Sequence, residues 1–132
     1  MGSSEDNVHW AKRSYEPKLS SVPEARHFAI DKVINWGLDP TFTEMVVGEL
    51  VANAVIHGRS RFTVELTDRD DHIRIGVRDA NPRWPVKCEM SPDTLGGRGL
   101  HIVEAVSRDW GVSPSVDVGK VIWADLYCKG DE

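Results

Sequence analysis

Glu49-Leu50-Val51-Ala52-Asn53-Ala54-Val55-Ile56-His57-Gly58 carries polar groups along an otherwise apolar helical pattern. An α-helix turns by about 100° and rises about 1.5 Å per residue, so Glu49, Asn53 and His57 fall nearly on one line. That line runs beside Met45, Val46 and Leu50, which read as the buried stripe of an amphipathic helix. Burying a carboxylate and an amide costs on the order of several kcal/mol unless each is partnered. The column is therefore either tied into a structural hydrogen-bond network or turned towards a polar ligand. Spacing alone does not choose between the two.

Working outward, Ser21-Val22-Pro23-Glu24 has the form of a capping box with proline near the helix start. Ala25, Phe28, Ala29, Val33 and Trp36 follow at helical spacing, and Gly37 is a stop, so a first helix is expected over 22–36. Asp39-Pro40 restarts a helix that runs to His57, with Gly58 as its stop. Phe42, Met45, Val46, Leu50 and Ala54 form its expected core face.

Downstream the period changes to two. Phe62, Val64 and Leu66 alternate with polar residues, Asp68-Arg69-Asp70-Asp71 makes a solvated turn, and Ile73, Ile75 and Val77 alternate again. This predicts an antiparallel hairpin. Residues 80–97 carry Pro82, Pro85, Pro92 and Gly96-Gly97, and long loops of this kind often act as lids. Leu100, Val103, Val106 and Trp110 predict a third helix closed by Gly111. Two last strands are expected over 112–116 and 121–127, around Asp117-Val118-Gly119-Lys120. Residues 1–18 read as a flexible, irregular segment and 19–129 as a single domain. The order of elements predicts an α+β fold, a two-layer sandwich with helices covering one face of a mostly antiparallel sheet.

The 132 residues carry a formal net charge of -5, which disfavours broad binding to nucleic acid or an anionic membrane. No apolar run is long enough to span a bilayer, and the first residues lack the pattern of a signal peptide. Cys88 and Cys128 form no CxxC pair or Cys/His cluster and read as reduced thiols of a cytoplasmic protein.

Two further segments carry chemistry. Asp79 continues the inward alternation of Ile73, Ile75 and Val77, which places a carboxylate on the buried side at a strand end. It is either a cap on the following loop or an acceptor for a ligand's amino group. Gly96-Gly97-Arg98-Gly99-Leu100 stands before the third helix, where free backbone N–H groups and a positive dipole end suit phosphate. A simple tight turn fits that segment equally well.

Taken together and in order, these segments resemble the ATP-binding boxes of the GHKL superfamily, the group of histidine-kinase ATPase domains, gyrase, Hsp90 and MutL. Residues 49–58 resemble the N box. Val77-Arg78-Asp79-Ala80-Asn81-Pro82 stands at the first glycine box, and Gly97-Arg98-Gly99-Leu100-His101-Ile102-Val103 resembles the second. The likeness is to the small stand-alone anti-sigma-factor serine kinases, with supporting similarity at Val22-Pro23-Glu24-Ala25-Arg26, Trp36-Gly37-Leu38, Trp110-Gly111-Val112 and Gly119-Lys120-Val121-Ile122-Trp123-Ala124.

The resemblance implies the Bergerat ATP-binding fold. It implies that Asn53 coordinates the Mg²⁺ bridging the phosphates of ATP and that Glu49 positions or deprotonates the attacking group. Asp79 would accept the adenine amino hydrogen bond. Gly97, Arg98, Gly99 and Leu100 would close the phosphate side, with 83–97 as the ATP lid. The implied partners are a sigma factor and a small STAS-type anti-anti-sigma protein, with a homodimer as the common assembly. The chain departs from the pattern in two places. Ala80-Asn81-Pro82-Arg83 lacks both glycines of the first box, and Val121 stands where relatives often have threonine near the adenine, so one polar contact is expected to be missing. His57 and His101 are expected to make structural hydrogen bonds. Trp84 is a loop tryptophan placed to pack on a nucleotide or a partner.

Overall fold

Alternating strands at 62–79 set the centre of the sheet. The computed structural model describes residues 9–81, 97–115 and 119–127. β2 (Phe62–Asp68) and β3 (His72–Asp79) pair antiparallel as the expected hairpin, with Phe62 opposite Asp79. In its turn Asp70 adopts φ 83 and its N–H donates to Asp68 Oδ1 at 2.9 Å, a conformation that short polar side chains tolerate. β5 (Lys120–Tyr127) pairs on the other flank of β3, and β4 (Asp109–Pro114) lies outside β5.

The fifth strand is β1 (Trp10–Tyr15), which pairs antiparallel with β2 and gives the order β1-β2-β3-β5-β4. Its residues read as irregular in the sequence. Of its six residues only Tyr15 is buried, so the edge strand carries almost no alternation to read.

The helices are α1 (Ser21–Asn35), α2 (Thr43–Asn53) and α3 (Gly97–Val106). Pro23 sits in the first turn of α1, where its missing N–H would have had no intrahelical partner. The helix ends in a Schellman motif. Gly37, at φ 76, donates to Ile34 O at 2.9 Å, and Leu38 donates to Val33 O at 3.0 Å.

α2 starts later than Asp39-Pro40 suggests, because Asp39 Oδ1 accepts from Thr41 N–H at 3.0 Å and forms a turn ahead of the helix. Its buried face is Val46, Val47, Leu50 and Val51, continued by Ala54. Met45 and Phe42, expected in the core, are 43% and 44% exposed. The stripe is rotated towards the 46/47/50/51 positions because α2 is sandwiched between its neighbours α1 and α3 above the sheet.

α3 ends at Val106, earlier than expected. Trp110 keeps helical spacing from Val106 but belongs to β4, and the chain turns into that strand where Arg108 N–H donates to Asp125 O at 2.8 Å. Gly111 is therefore not a helix stop. A Cβ there would lie 2.8 Å from Cζ2 of Trp123 on the neighbouring strand.

The core lies between the helices and one sheet face. Val64, Leu66, Ile73, Ile75, Val77, Ile122, Ala124 and Leu126 face Ala25, Ala29 and Val33 of α1 and the buried stripe of α2. Each fully buried aliphatic side chain contributes roughly 1.5–3 kcal/mol.

The opposite face is polar. Arg74 donates two hydrogen bonds to Asp125, at 2.7 and 2.9 Å, and its guanidinium lies 4.1 Å from the Trp123 ring centroid. Burial pushes the Asp125 carboxyl up, but the Arg74 guanidinium, helped by His72 and Arg69, outweighs it and holds the group below the usual carboxylate range. The architecture is the expected α+β sandwich. Among the described residues no helix is long and apolar enough to cross a membrane.

Candidate functional site

The first element of the site is the polar edge of α2. Glu49 and Asn53 stand one turn apart, Glu49 half-buried and Asn53 only 2% exposed. Among the described residues no hydrogen bond is made to the Glu49 carboxylate. Beside it Gly48 lets Arg26 of α1 cross closely, since a Cβ would lie 3.2 Å from Arg26 Cδ.

His57 does not complete the column. After Asn53 the helix widens into a π turn over Ala54–Gly58, closed by Arg59 N–H donating to Ala54 O at 3.0 Å. A π turn holds more residues than an α turn, so a residue four positions on no longer stacks below. His57 is exposed as a result, as is His101 on α3, and neither side chain makes a hydrogen bond among the described residues. The hydrogen bonds expected of these two histidines are not made within the described residues.

The second element is the end of β3. Asp79 is 4% exposed, and its Oδ1 accepts from Asn81 N–H at 2.8 Å and from Lys120 Nζ at 3.0 Å. Of the two readings of Asp79 from the sequence the cap is made, through Oδ1, while Oδ2 accepts no hydrogen bond among the described residues.

Oδ2 faces Gly58, where a Cβ would come within 2.9 Å of it. This corrects the reading of Gly58 as a helix stop. The left-handed residue that ends the helix is Arg59, at φ 54, and Gly58 is small because Asp79 needs the space. Gly119, at φ 117, lies against the backbone of Asp79 and Ala80, and a Cβ there would collide with the Asp79 carbonyl oxygen.

Asn81 replaces glycine flexibility with hydrogen bonds. Its Nδ2 donates to His57 O at 3.0 Å, and Ala80 N–H donates to Ser60 Oγ at 2.9 Å. The loop after β3 is thereby stitched to the end of the α2–π helix.

Lys120 is the functional-site residue that the sequence reading missed. Its side chain is 3% exposed, and besides Asp79 it donates to Asn81 O at 3.1 Å. Period-two alternation was the available signal, because Lys120 precedes Ile122, Ala124 and Leu126 on the inward face. Val121, taken from the sequence as the residue near the adenine, points to the other face beside Gly76. The position across from Asp79 is Lys120, in direct register, so that position is polar after all.

The third element is the start of α3. Gly97, Arg98, Gly99 and Leu100 form its first turn instead of preceding it. The first N–H groups of a helix lack intrahelical acceptors and carry the positive end of the dipole, so this turn offers donors to an anion. α3 packs along α2, which gathers two of the three elements on one side of the sheet, while the π turn packs against β3. Residues 83–96 of the expected lid, with Trp84 and Cys88, and also Cys128, lie outside the described residues.

Comparison with known proteins agrees with this geometry. No curated protein matches the chain significantly. The family described as histidine kinase-like ATPase domain matches residues 15–125, from the end of β1 to β5, and so spans every element of the candidate site. Fold, box order and match converge, and the chain belongs to the histidine kinase-like ATPase family.

Proposed function

We propose that this protein is an anti-sigma-factor serine kinase, which holds a sigma factor inactive and phosphorylates a serine of a small STAS-type partner with Mg-ATP. Membership of an ATPase family supports the binding and use of ATP. The observation that carries the reading further is the pairing, on one edge of α2, of a half-buried carboxylate with no hydrogen bond among the described residues and a buried amide one turn away. Phosphoryl transfer needs positioning, charge neutralisation and one group that orients the nucleophile.

The residues fit the ligand. Asp79 Oδ2 is a buried acceptor beside a glycine wall, suited to an exocyclic amine. Asn53 would hold Mg²⁺, which accepts one protein oxygen beside phosphates and waters and would neutralise phosphate charge. Among the described residues no group of three or more acidic, histidine or cysteine side chains forms a metal cage, in keeping with an ion carried mainly by the nucleotide. In this reading Glu49 orients the serine hydroxyl and takes its proton. The first turn of α3 receives the phosphates. Two copies of the chain would form the homodimer usual for such kinases.

Glu49→Ala tests the reading. The variant is expected to bind ATP as the parent does and to lose at least about 100-fold in phosphate transfer from γ-labelled ATP to a STAS-type protein, the usual size of a general-base contribution. Undiminished transfer would remove Glu49 from the chemistry. A parent that binds ATP and transfers no phosphate would leave a nucleotide-binding sequestering module, the alternative that the glycine-free loop at Ala80-Asn81 keeps alive.

A further inference from the structure

The buried pair at the end of β3 and β5 presents a donor next to an acceptor. An ammonium has three N–H bonds, and Lys120 uses two of them, on Asp79 Oδ1 at 3.0 Å and Asn81 O at 3.1 Å. Asp79 Oδ1 is engaged twice, and Oδ2 accepts nothing among the described residues. One N–H of Lys120 and one oxygen of Asp79 are therefore available within a single fixed assembly. Gly58 lies against the Asp79 carboxylate and Gly119 against the backbone of Asp79 and Ala80, and the Lys120 and Asp79 side chains are 3% and 1% exposed.

We propose that Lys120 is a base-specificity residue that donates a hydrogen bond to the N1 ring nitrogen of adenine while Asp79 accepts from the 6-amino group. This rests on the nucleotide reading given above. The chemistry is complementary because the adenine edge carries a donor, the amino group, directly beside an acceptor, N1. Guanine in the same pose inverts both: its O6 would face the carboxylate and its N1–H would face the ammonium. A buried polar group left unpaired, or set against its like, is strongly unfavourable, so one pair of side chains selects for adenine at two adjacent atoms.

The intact chain and base analogues test this by calorimetric titration with Mg²⁺ complexes of ATP, purine riboside triphosphate and 1-deaza-ATP. The first analogue lacks the amino group and the second replaces N1 by C–H. Hydrogen bonds to charged groups predict that each binds about tenfold or more weakly than ATP. ATP binding with equally tight 1-deaza-ATP binding overturns the role of Lys120 and leaves the nucleotide site standing. No binding of ATP overturns the nucleotide reading, and this inference with it.

Lys120→Met separates a direct contact from one relayed by water on Asp79. The gap between ATP and 1-deaza-ATP is expected to close in that variant, and an unchanged gap refutes the assignment. Lys120→Gln, which keeps a neutral N–H donor, is expected to retain part of the gap and serves if the methionine variant does not fold.

Discussion

Replacing Lys120 by methionine should destabilise the protein by about 3 kcal/mol at pH 7. Nζ and Oδ1 lie 3.0 Å apart with side chains 3% and 1% exposed, so the pair is shielded from salt and water. At an effective dielectric of about 20, two unit charges at that distance attract by roughly 5 kcal/mol, most of it offset by the desolvation of both. Removing only the cation leaves the desolvation of Asp79 uncompensated, and such changes typically cost about 3–5 kcal/mol. The low end applies here because Asp79 keeps the Asn81 N–H at 2.8 Å and methionine fills the space of the lysine stem. The assay is a double-mutant cycle in urea at pH 7 with Lys120→Met, Asp79→Asn and the pair. The double variant should be less destabilised than the sum of the singles by about 2 kcal/mol. A loss under about 1 kcal/mol in Lys120→Met, or strict additivity, would show that the pair is not coupled and refute the reasoning.

Three other outcomes follow from the same geometry. Gly58→Ala puts a methyl 2.9 Å from Asp79 Oδ2 and should lower stability by about 1–3 kcal/mol while weakening ATP binding; unchanged urea midpoint and affinity would return Gly58 to the status of a simple helix end. Arg74→Met should cost about 2 kcal/mol at pH 7 by stranding the buried Asp125 carboxylate. Because the folded pKa of Asp125 is depressed, its stabilisation is present above the unfolded value near about 4 and is lost as pH falls through the folded value, so the difference between parent and variant should shrink towards pH 3; equal differences in urea at both pH values would contradict this. Asn53→Ala should abolish the response of ATP affinity to Mg²⁺, read as the loss of a Mg²⁺-dependent thermal shift that in the parent reaches about 2.7 kcal/mol at ligand one hundred times Kd; a normal response would remove Asn53 from the metal.

Where the sequence was legible, a periodic apolar signal coincided with burial. The hairpin at 62–79 and helix α1 with its glycine stop lie close to where spacing put them, because their inward positions are apolar except at the ends, where Asp79 and Ser21 are buried. β1 was not legible, since an edge strand with one buried residue has no pattern to show. Trp110 misled because a spacing of four from Val106 is helical arithmetic, whereas its partner is Ala124 across a strand pair. The widening at Ala54–Gly58 was also hidden. Nothing in Ala54-Val55-Ile56-His57 distinguishes a π turn from an α turn, and one extra residue per turn was enough to turn His57 out to solvent. Glu49, Asn53 and Asp79 were found as polar residues on apolar periods. Lys120 gave the same signal on β5 and was passed over in favour of Val121, one residue out of phase.

That one-residue difference changes how the glycine-free loop should be understood. With Val121 as the inward residue, the loss of glycines at 81 and 83 and the loss of a polar contact on β5 look like two independent erosions of a nucleotide site. With Lys120 inward, they become one arrangement. Asn81 donates its N–H to Asp79 and its amide to His57 O, and its carbonyl accepts from Lys120, so it touches the carboxylate, the helix end and the new cation together. A glycine at 81 would keep the backbone half of this set, the N–H to Asp79 and the carbonyl to Lys120, and would lose the amide that ties the loop to His57 O. A lysine at this depth is stable only where its charge and hydrogens are satisfied, and the Asp79 carboxylate and the carbonyl of residue 81 meet that need here. The asparagine at 81 therefore adds a side-chain tie to the helix end, and that tie holds the carbonyl used by Lys120 in a loop without the glycine pattern.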